Sequence, residues 1–360
     1  MPSPVPQLPA LPAPRRVTVA AHEQVPLAVA EAGPAGRAVW EEFFAASLRN
    51  PHTRVAYCRA ARGFFLWPKL QGIALHDIRP AQVAEYFDQL GGSPATRKLH
   101  LAALRRLFDL FATRHLMVLN PAACVRGERY EVIEGKTPEI TPPQTRRLIE
   151  SIPTTRTVTE KPLPGQPPRE TVKPCPVGLR DRAICAMLLY TAARAGAVAK
   201  LRRQHFAWDG SQWMLRFEEK GGKSREIPVR HDLQKMLLAY LDAGGLTDAP
   251  RDTPLFPTAY RTSGQLTARA ITGADICRMV KRRLKAAGLP TRLSPHSFRV
   301  TTVTDLLTQG VPLEDVAYLA GHSDPRTTRL YDRRQRRVTR NIVERISITI
   351  AEQPKGDARD

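Results

Sequence analysis

The stretch from Ser294 to Arg333 contains residue types that together can cleave a phosphate ester. His296 and Arg299 are three residues apart, so on a helix they project from the same face. His322 follows 23 residues after Arg299, and Tyr331 follows nine residues after His322. Arginine binds phosphate oxygens through a planar, permanently charged fork, histidine exchanges protons near neutral pH, and tyrosine can act as a nucleophile. The spacing therefore indicates phosphodiester chemistry.

Cleavage of a phosphodiester needs a nucleophile, cations on the non-bridging oxygens and an acid for the leaving oxygen. Many enzymes supply the cation as carboxylate-bound Mg²⁺. This chain has no D-x-D or similar carboxylate cluster near its basic motifs, so we expect arginine side chains to supply the charge, with neither a metal nor a cofactor. A tyrosine hydroxyl has a reference pKa of about 10, so the reaction needs a base or positive charge beside Tyr331.

Start and stop signals divide this stretch into three predicted helices. Proline favours the first turn of a helix, and glycine favours the residue after its end. Pro295 and Gly310 bound the first predicted helix, and Pro312 and Gly321 bound the second. The third helix is short and is expected to carry Tyr331.

The composition indicates a partner with many negative charges. The chain has 360 residues, 42% of them hydrophobic, and a formal net charge of +21. Such a charge attracts nucleic acid through its phosphates. A membrane surface is the competing polyanion, but the sequence has no apolar run of about 18 residues and no strongly basic amphipathic anchor. We therefore expect double-stranded DNA as the partner, with no membrane association.

Cysteine usage and the N-terminus bear on the compartment. The five cysteines form no C-x-x-C pair and their number is odd, which argues against a disulfide framework and against a metal site. The N-terminal residues lack the charged and apolar regions of a signal peptide. We expect reduced thiols and a cytoplasmic protein that acts at the nucleoid.

Composition and periodicity divide the chain into two domains. Residues 1–35 are rich in proline and alanine and are predicted to be a disordered tail. Residues 36–127 contain four amphipathic segments, typical of a small helical bundle. A polar stretch at 128–140 is predicted to be a linker, 141–350 a second domain, and 351–360 a C-terminal tail.

The second domain is predicted to be mainly helical with a small antiparallel β-sheet. The only strong strand signal runs from Phe206 to Val229, around a loop that contains glycine and lysine. A helix is expected from Arg180 through Arg194 to about Arg203. Residues 153–176 contain seven prolines and are interpreted as an exposed insertion without secondary structure.

Basic side chains in both domains are candidates for contacts with DNA phosphates. They are Arg54, Arg97 and Lys98 in the first domain, and Lys223 and Arg225 in the second. Charged helix surfaces are usually only solvated, so the overall charge of the chain supports these positions more than any single one does.

The C-terminal motif resembles the signature of the tyrosine recombinases, the phage integrase family. The matching positions are His296-x-x-Arg299, then Leu-Ala-Gly-His322, then Tyr331. An isolated H-x-x-R would mean little, but residues in this order and at these spacings are a specific signal.

Two upstream segments extend the resemblance. The segment Tyr-Thr-Ala-Ala-Arg194 matches the family's first arginine box, and Lys220, in a K-G-x-K-x-R-x-x-P loop, matches its β-hairpin lysine. Lys223 is the rival for that role. The resemblance covers about residues 38–350 apart from the insertion, and it implies a helical, SAM-like core-binding domain followed by a catalytic domain.

The resemblance implies a role for each matching residue. Tyr331 attacks the scissile phosphate, forms a 3′-phosphotyrosyl link and releases a 5′-hydroxyl. Arg194 and Arg299 clamp the non-bridging oxygens, and Lys220 protonates the leaving 5′-oxygen. The covalent link conserves the energy of the phosphodiester, so neither ATP nor metal is needed.

The histidines and the assembly are implied in the same way. His322 donates a hydrogen bond to the phosphate, and His296 handles the proton of the tyrosine. The family acts as a tetramer on two duplexes, through a Holliday junction, in DNA recombination and integration. A bacterial, phage or mobile-element origin is expected, and whether DNA-bending accessory proteins take part is not specified by the sequence.

Two positions depart from the family pattern. The first arginine box usually reads Thr-Gly-x-Arg with an acidic residue three positions after the arginine, and here Ala192 and Ala197 occupy the glycine and acidic places. We expect Ala192 to preserve the packing. The supporting carboxylate is lost at Ala197 or supplied elsewhere, and we still expect an active enzyme because all six reacting positions remain.

Other interpretations remain open at this point. The turn at Gly310 also fits a helix-turn-helix with Leu313–Ala320 as recognition helix, in a catalytically silent DNA-binding regulator. Type IB topoisomerase chemistry is a third possibility. The amphipathic segment 341–350 either docks onto a neighbouring protomer or covers the protomer's own core.

Overall fold

The computed structural model describes residues 25–128, 137–160, 169–218, 224–260, 264–322 and 324–331. Lys220, Lys223 and the segment 341–350 lie outside these residues. The chain divides into two compact units, Met1–Glu131 and Val132–Asp360, and this boundary falls inside the predicted linker. In the described part of the chain, no helix is long and apolar enough to cross a membrane.

All the regular secondary structure in the described residues of the N-terminal unit is helical. Its helices are α1 (Leu27–Glu31), α2 (Gly33–Glu42), a π-helical turn (Phe43–Ser47), α3 (Pro51–Phe65), α4 (Pro80–Gln89) and α5 (Pro94–Thr113), with short 3-10 turns at Pro68–Leu70 and Leu75–Asp77. The predicted start at residue 36 is too late. Within the described residues, the first helix starts at Leu27, and its Val29 is fully buried in the core of this unit.

Helix caps and aromatic packing explain why the helices of this unit form and pack together. Prolines open α3, α4 and α5, where the missing N–H costs no hydrogen bond. The Asn50 side chain accepts a 2.9 Å hydrogen bond from the backbone N–H of His52 and so caps α3. In the core, Phe64 meets Tyr86 and Phe108 edge to face, with ring centroids 5.1 and 5.7 Å apart.

In its described residues, the C-terminal unit has eight α-helices, seven β-strands and a 3-10 turn at Arg203–His205. Its elements are α6 (Pro142–Ser151), β1 (Thr155–Glu160), β2 (Arg169–Pro174), α7 (Pro176–Thr191), α8 (Ala195–Ala199), β3 (Phe206–Trp208), β4 (Trp213–Glu218), β5 (Ser224–Pro228), α9 (His231–Ala243), β6 (Pro257–Ala259), β7 (Leu266–Ala270), α10 (Gly273–Ala286), α11 (Pro295–Thr308), α12 (Leu313–Ala320) and α13 (Pro325–Arg329). The expectation of a mainly α fold with small antiparallel sheets is confirmed.

The β-structure is more extensive than predicted. Strands β3, β4 and β5 form the expected antiparallel sheet, but β6 and β7 form a second hairpin that the sequence did not signal. The insertion 153–176 also contains secondary structure, because β1 and β2 pair antiparallel from Thr155↔Pro174 to Glu160↔Arg169. Threonine and valine are frequent in these strands, and both favour extended structure.

Helix α7 is the centre of this unit and is shorter than predicted. It is buried on several faces and packs against α9 and α11. The predicted continuation through Arg194 to Arg203 is wrong. Ala192 adopts a left-handed conformation (φ 50°, ψ 20°) that ends α7, and a separate short helix, α8, begins at Ala195.

A buried ion cluster fastens α7 to α10. The carboxylate of Asp181 is fully buried. It accepts hydrogen bonds from Arg180 at 2.8 Å and from Arg283 at 2.8 Å, and Arg282 approaches it at 3.3 Å. Because a buried carboxylate needs several partners to offset its desolvation, this cluster fixes the position of the helix that leads to Ala192.

Candidate active site

Tyr331 and His296 meet through their polar ends. The hydroxyl oxygen of Tyr331 lies 3.2 Å from Nε2 of His296, while the tyrosine as a whole is only 8% exposed. His296 is the second residue of α11, so the start of that helix holds it in place. Tyr331 follows the end of α13 rather than lying on it, and its N–H donates to the carbonyl of Thr328 at 3.0 Å.

His322 lies against the other side of the tyrosine. Its ring is parallel to that of Tyr331 (1° between planes) with centroids 6.0 Å apart. Its Nδ1 is 2.8 Å from Oγ1 of the buried Thr328. Burial, followed by the positive charges of Arg299 and Arg194, lowers the pKa of His322 to about 3. The ring is therefore neutral at neutral pH.

The guanidinium of Arg299 joins two helix ends. It is 1% exposed, and its Nη1 donates to the carbonyl of Ala192 at 2.6 Å and to that of Ala320 at 2.5 Å. These carbonyls lie at the C-terminal ends of α7 and α12, where the helix leaves acceptors unpaired and a partial negative charge accumulates. Arg299 thus holds the first arginine box against the turn that carries His322.

Arg194 reaches the same turn from the surface. It is exposed, and its Nη1 donates to the carbonyl of Gly321 at 3.3 Å. Gly321 ends α12 in a left-handed conformation (φ 63°), which glycine adopts at no steric cost. A long hydrogen bond on an exposed side chain leaves this guanidinium able to turn to a ligand.

The pKa of His296 is also lowered. Desolvation of its ring against the protein is the main cause, and the charges of Arg299 and Arg194 add to it. A neutral imidazole beside the hydroxyl of Tyr331 is suited to accept a proton. The site therefore combines a tyrosine hydroxyl, a neutral imidazole and fixed positive charge.

The comparison with known families decides the identity of this arrangement. Residues 170–337, which include Arg194, Arg299, His322 and Tyr331, match the phage integrase family. This part of the chain belongs to the tyrosine recombinases. The expected recombinase family is thereby confirmed.

Known recombinases align with different lengths of this chain. Tyrosine recombinase XerD of Xanthomonas campestris pv. campestris is 32% identical over 165 residues, 43% of this chain and 48% of the relative, so that match spans about half of the relative's length. XerD of Chlorobaculum tepidum is 24% identical over 288 residues, 78% and 85% of the two chains. A post-cleavage complex of XerH recombinase with difH has a TM-score of 0.59 at 18% identity, covering 78% of this chain and 77% of the other.

The predicted DNA contacts of the recombinase differ in their surroundings. Arg54 donates to the carbonyl of Leu48 at 2.9 Å. Arg97 pairs with Glu128 at 2.6 Å, and Lys98 is exposed. Arg54 and Arg97 therefore have roles inside the N-terminal unit. These contacts stay predictions.

Arg225 was predicted to contact DNA, but the structure buries it. It is 4% exposed. Its guanidinium donates to the carbonyl of Leu319 and lies 4.9 Å over the ring of Phe217. The guanidinium therefore faces the interior of the recombinase rather than solvent.

Thr328 lies in the site although no sequence pattern predicted it, and the effect of alanine at position 197 was not predictable from the sequence. Thr328 follows His322 by six residues and is fully buried beneath it, but a threonine in a short helix has no distinctive sequence signal. Ala197 packs against the core at the place of the family's acidic residue. In the described ranges, no group of three or more His, Cys, Asp or Glu side chains is placed to hold a metal ion.

Proposed function

We propose that this recombinase cuts and rejoins DNA at specific sites, with Tyr331 as the nucleophile. The observation that carries the proposal is the 3.2 Å approach of the Tyr331 hydroxyl to Nε2 of His296. Arg194 and Arg299 reach the turn beside this pair. This is the combination that attack on a phosphodiester needs.

In the cleavage step, the Tyr331 oxygen attacks the phosphorus and the bond from phosphorus to the 5′-oxygen breaks. The tyrosine proton passes to Nε2 of His296, and the leaving 5′-oxygen takes a proton from Lys220, a role that rests on the family resemblance. The product is a 3′-phosphotyrosyl ester and a free 5′-hydroxyl. Attack of a 5′-hydroxyl on this ester reverses the step and rejoins a strand, so the exchange needs no net oxidation, reduction or hydrolysis.

The arginines and His322 bind the charge that develops on the phosphate. Arg194 turns from the Gly321 carbonyl to a non-bridging oxygen. Arg299 supplies positive charge from its buried position between the ends of α7 and α12. The phosphate anion opposes the effect of the arginines on the pKa of His322, so the histidine becomes a better hydrogen-bond donor when DNA is bound. Fixed donors of this kind contribute to rate because they need little reorganisation during the reaction.

The assembly and the setting are further parts of the proposal. A net charge of +21 fits a protein that follows DNA phosphates, with an affinity that falls steeply as salt rises. The XerH structure with the same fold is a complex with its difH substrate, and a λ integrase of this fold was solved as a tetramer bound to a Holliday junction. A cytoplasmic tetramer that joins two duplexes is the corresponding expectation here, including for a mobile element.

A nicked suicide duplex tests the proposal. Cleavage of such a substrate releases a short fragment and traps the covalent complex. The wild-type protein is expected to give protein-linked DNA after denaturation, and Tyr331→Phe none. Tyr318→Phe is the matched control, because Tyr318 lies on α12 but is 60% exposed, and it should react like the wild type.

The same duplex, together with a supercoiled plasmid and a pair of duplexes that each carry a site, separates the alternatives. Binding without covalent complex in the wild type would support a silent regulator. Covalent complex with relaxation of supercoiled DNA, but without exchange between two sites, would support a topoisomerase. Exchange between two duplexes is the result that the proposal requires.

A further inference from the structure

Three successive carbonyls at the end of α12 each accept a hydrogen bond from a different arginine. Leu319 accepts from Arg225, Ala320 from Arg299, and Gly321 from Arg194. The three arginines come from β5, from α11 and from the turn between α7 and α8. His322 is the next residue along the chain.

A helix end of this kind needs donors. The last carbonyls of a helix have no partner within it and carry its partial negative charge. Three guanidiniums on three successive carbonyls satisfy these acceptors and draw three separate elements to the start of the His322 turn. The placement of His322 therefore depends on side chains far from it in sequence.

Arg225 differs from the other two arginines in its surroundings. Arg194 is exposed and is free to exchange its carbonyl for a phosphate. Arg225 is 4% exposed and stacks 4.9 Å over Phe217, its partner in the β4–β5 ladder. A guanidinium held on two sides in this way cannot reach DNA without leaving the core.

We infer that Arg225 is a positioning residue that fixes the C-terminal end of α12, and with it His322, onto strand β5. The inference rests on the proposed function for its effect on cleavage. When Arg194 turns to the phosphate and releases Gly321, Arg225 keeps the carbonyl of Leu319 bound, so the His322 turn stays in place. The positive charge of Arg225 also contributes to the lowered pKa of His322.

Cleavage kinetics distinguish this role from a DNA contact. Arg225→Met is expected to lower the rate of covalent complex formation at saturating DNA by about 10- to 100-fold, the size typical of a misplaced catalytic group. The DNA affinity and its salt dependence should not change. Arg225→Lys, which keeps the charge and one donor, should recover part of the rate. Arg216→Met removes an exposed arginine of the same hairpin, which pairs with Glu226 across the sheet, and should behave like the wild type.

The opposite kinetic pattern would overturn the inference. If Arg225 binds a phosphate, Arg225→Met will weaken DNA binding, reduce the slope of log affinity against log salt by about 0.9, and react at the wild-type rate once DNA is saturating. A wild-type rate and affinity in Arg225→Met would overturn it equally.

Hydrogen exchange in the DNA-free protein tests the same inference without any cleavage. The amide of His322 donates to the carbonyl of Ala317 at 2.9 Å, so it reports opening of the α12 end. In Arg225→Met this amide should exchange about tenfold faster, which corresponds to about 1.4 kcal/mol of lost protection, while the amide of Met187 in buried α7 keeps its rate. Unchanged exchange at His322, or an equal loss at both amides, would contradict a local positioning role.

The two measurements fail in different ways. If the wild-type protein forms no covalent complex, the proposed function is wrong. If the His322 amide nevertheless exchanges faster in Arg225→Met than in the wild type, the positioning role of Arg225 still holds. If Arg225→Met does not fold, Arg225→Lys carries the same comparison. Its His322 amide should exchange at a rate above the wild type, with Met187 again unchanged.

Discussion

The hydroxyl oxygen of Tyr331 lies 3.2 Å from Nε2 of His296, although 35 residues separate them along the chain. The contact joins the start of α11 to the residue that follows α13, so the packing of these two helices places the proposed nucleophile beside its proposed base. His296 is kept neutral by desolvation and by Arg299 and Arg194, which lower its pKa. A base that stays unprotonated near neutral pH is what a weakly acidic hydroxyl needs.

The pH dependence of cleavage should therefore report His296. Its pKa lies below the ordinary 6.5, so the neutral base persists at neutral pH and is lost only when the pH falls through that lowered value. The rate of covalent complex formation should fall on the acid side, and His296→Gln should lower the plateau rate by about 10²- to 10⁴-fold and remove this limb. Initial rates on the suicide duplex between about pH 5 and 8 measure it. An identical acid limb in His296→Gln would exclude His296 as the base.

Arg299 should support the fold as well as the reaction. Arg299→Met leaves the carbonyls of Ala192 and Ala320 without their buried donor, and each such loss costs about 1–3 kcal/mol. We expect a lower free energy of unfolding by urea, and cleavage slower by about 10²- to 10³-fold. Arg194→Met is the matched control, since it removes an exposed arginine of the same site. It should lose activity with little change in stability, and equal stability losses in the two variants would contradict the account.

Ala192 pays a conformational cost that glycine would not. Its φ of 50° disfavours a residue with a Cβ atom by about 1–2 kcal/mol, which offsets the lost methyl burial and added chain entropy of Ala192→Gly. The free energy of unfolding of Ala192→Gly should therefore lie within about 1 kcal/mol of the wild-type value. The neighbouring Ala193 is as buried but has an ordinary φ, so Ala193→Gly should be less stable than Ala192→Gly by about 1–2 kcal/mol. Equal destabilisation in urea titrations would refute the backbone argument.

Asp181 should be a major source of stability in the C-terminal unit. Asp181→Asn removes the charge that Arg180, Arg282 and Arg283 surround, and breaking a buried ion cluster typically costs about 3–5 kcal/mol. Asp232→Asn breaks an exposed 3.1 Å pair with Arg230 and should cost below about 1 kcal/mol. Thermal unfolding compares the two. If Asp181→Asn lowers the unfolding temperature no more than Asp232→Asn does, the cluster contributes little to stability.

The sequence predicted the parts of this site that depend on local signals. Proline and glycine at the ends of α11 and α12 predicted those helices, because caps act within a few residues. The spacing of His296, Arg299 and Tyr331 pointed to one family. Which of these side chains touch each other was not readable, since the contact of Tyr331 with His296 and the bonds of Arg299 depend on how separate helices pack.

Each of the wrong predictions has a physical cause. Arg225 looked like a surface cation, but its burial depends on Phe217 in the paired strand and on a carbonyl of α12, which no local pattern encodes. The end of α7 was placed too late because alanine favours helix, and the tertiary fold overrides that preference at Ala192. Strands β1 and β2 were missed because the prolines around them outweighed two short runs of threonine and valine.

Mapping the covalent link to DNA tests the central claim most directly. The wild-type protein is trapped on the suicide duplex, digested, and its DNA-linked peptide is identified by mass spectrometry. The account predicts a nucleotide adduct on Tyr331, joined through the 3′-phosphate, with a free 5′-hydroxyl on the released strand. An adduct on any other residue, a 5′-phosphate linkage, or no adduct from a wild-type protein that binds the duplex would contradict it.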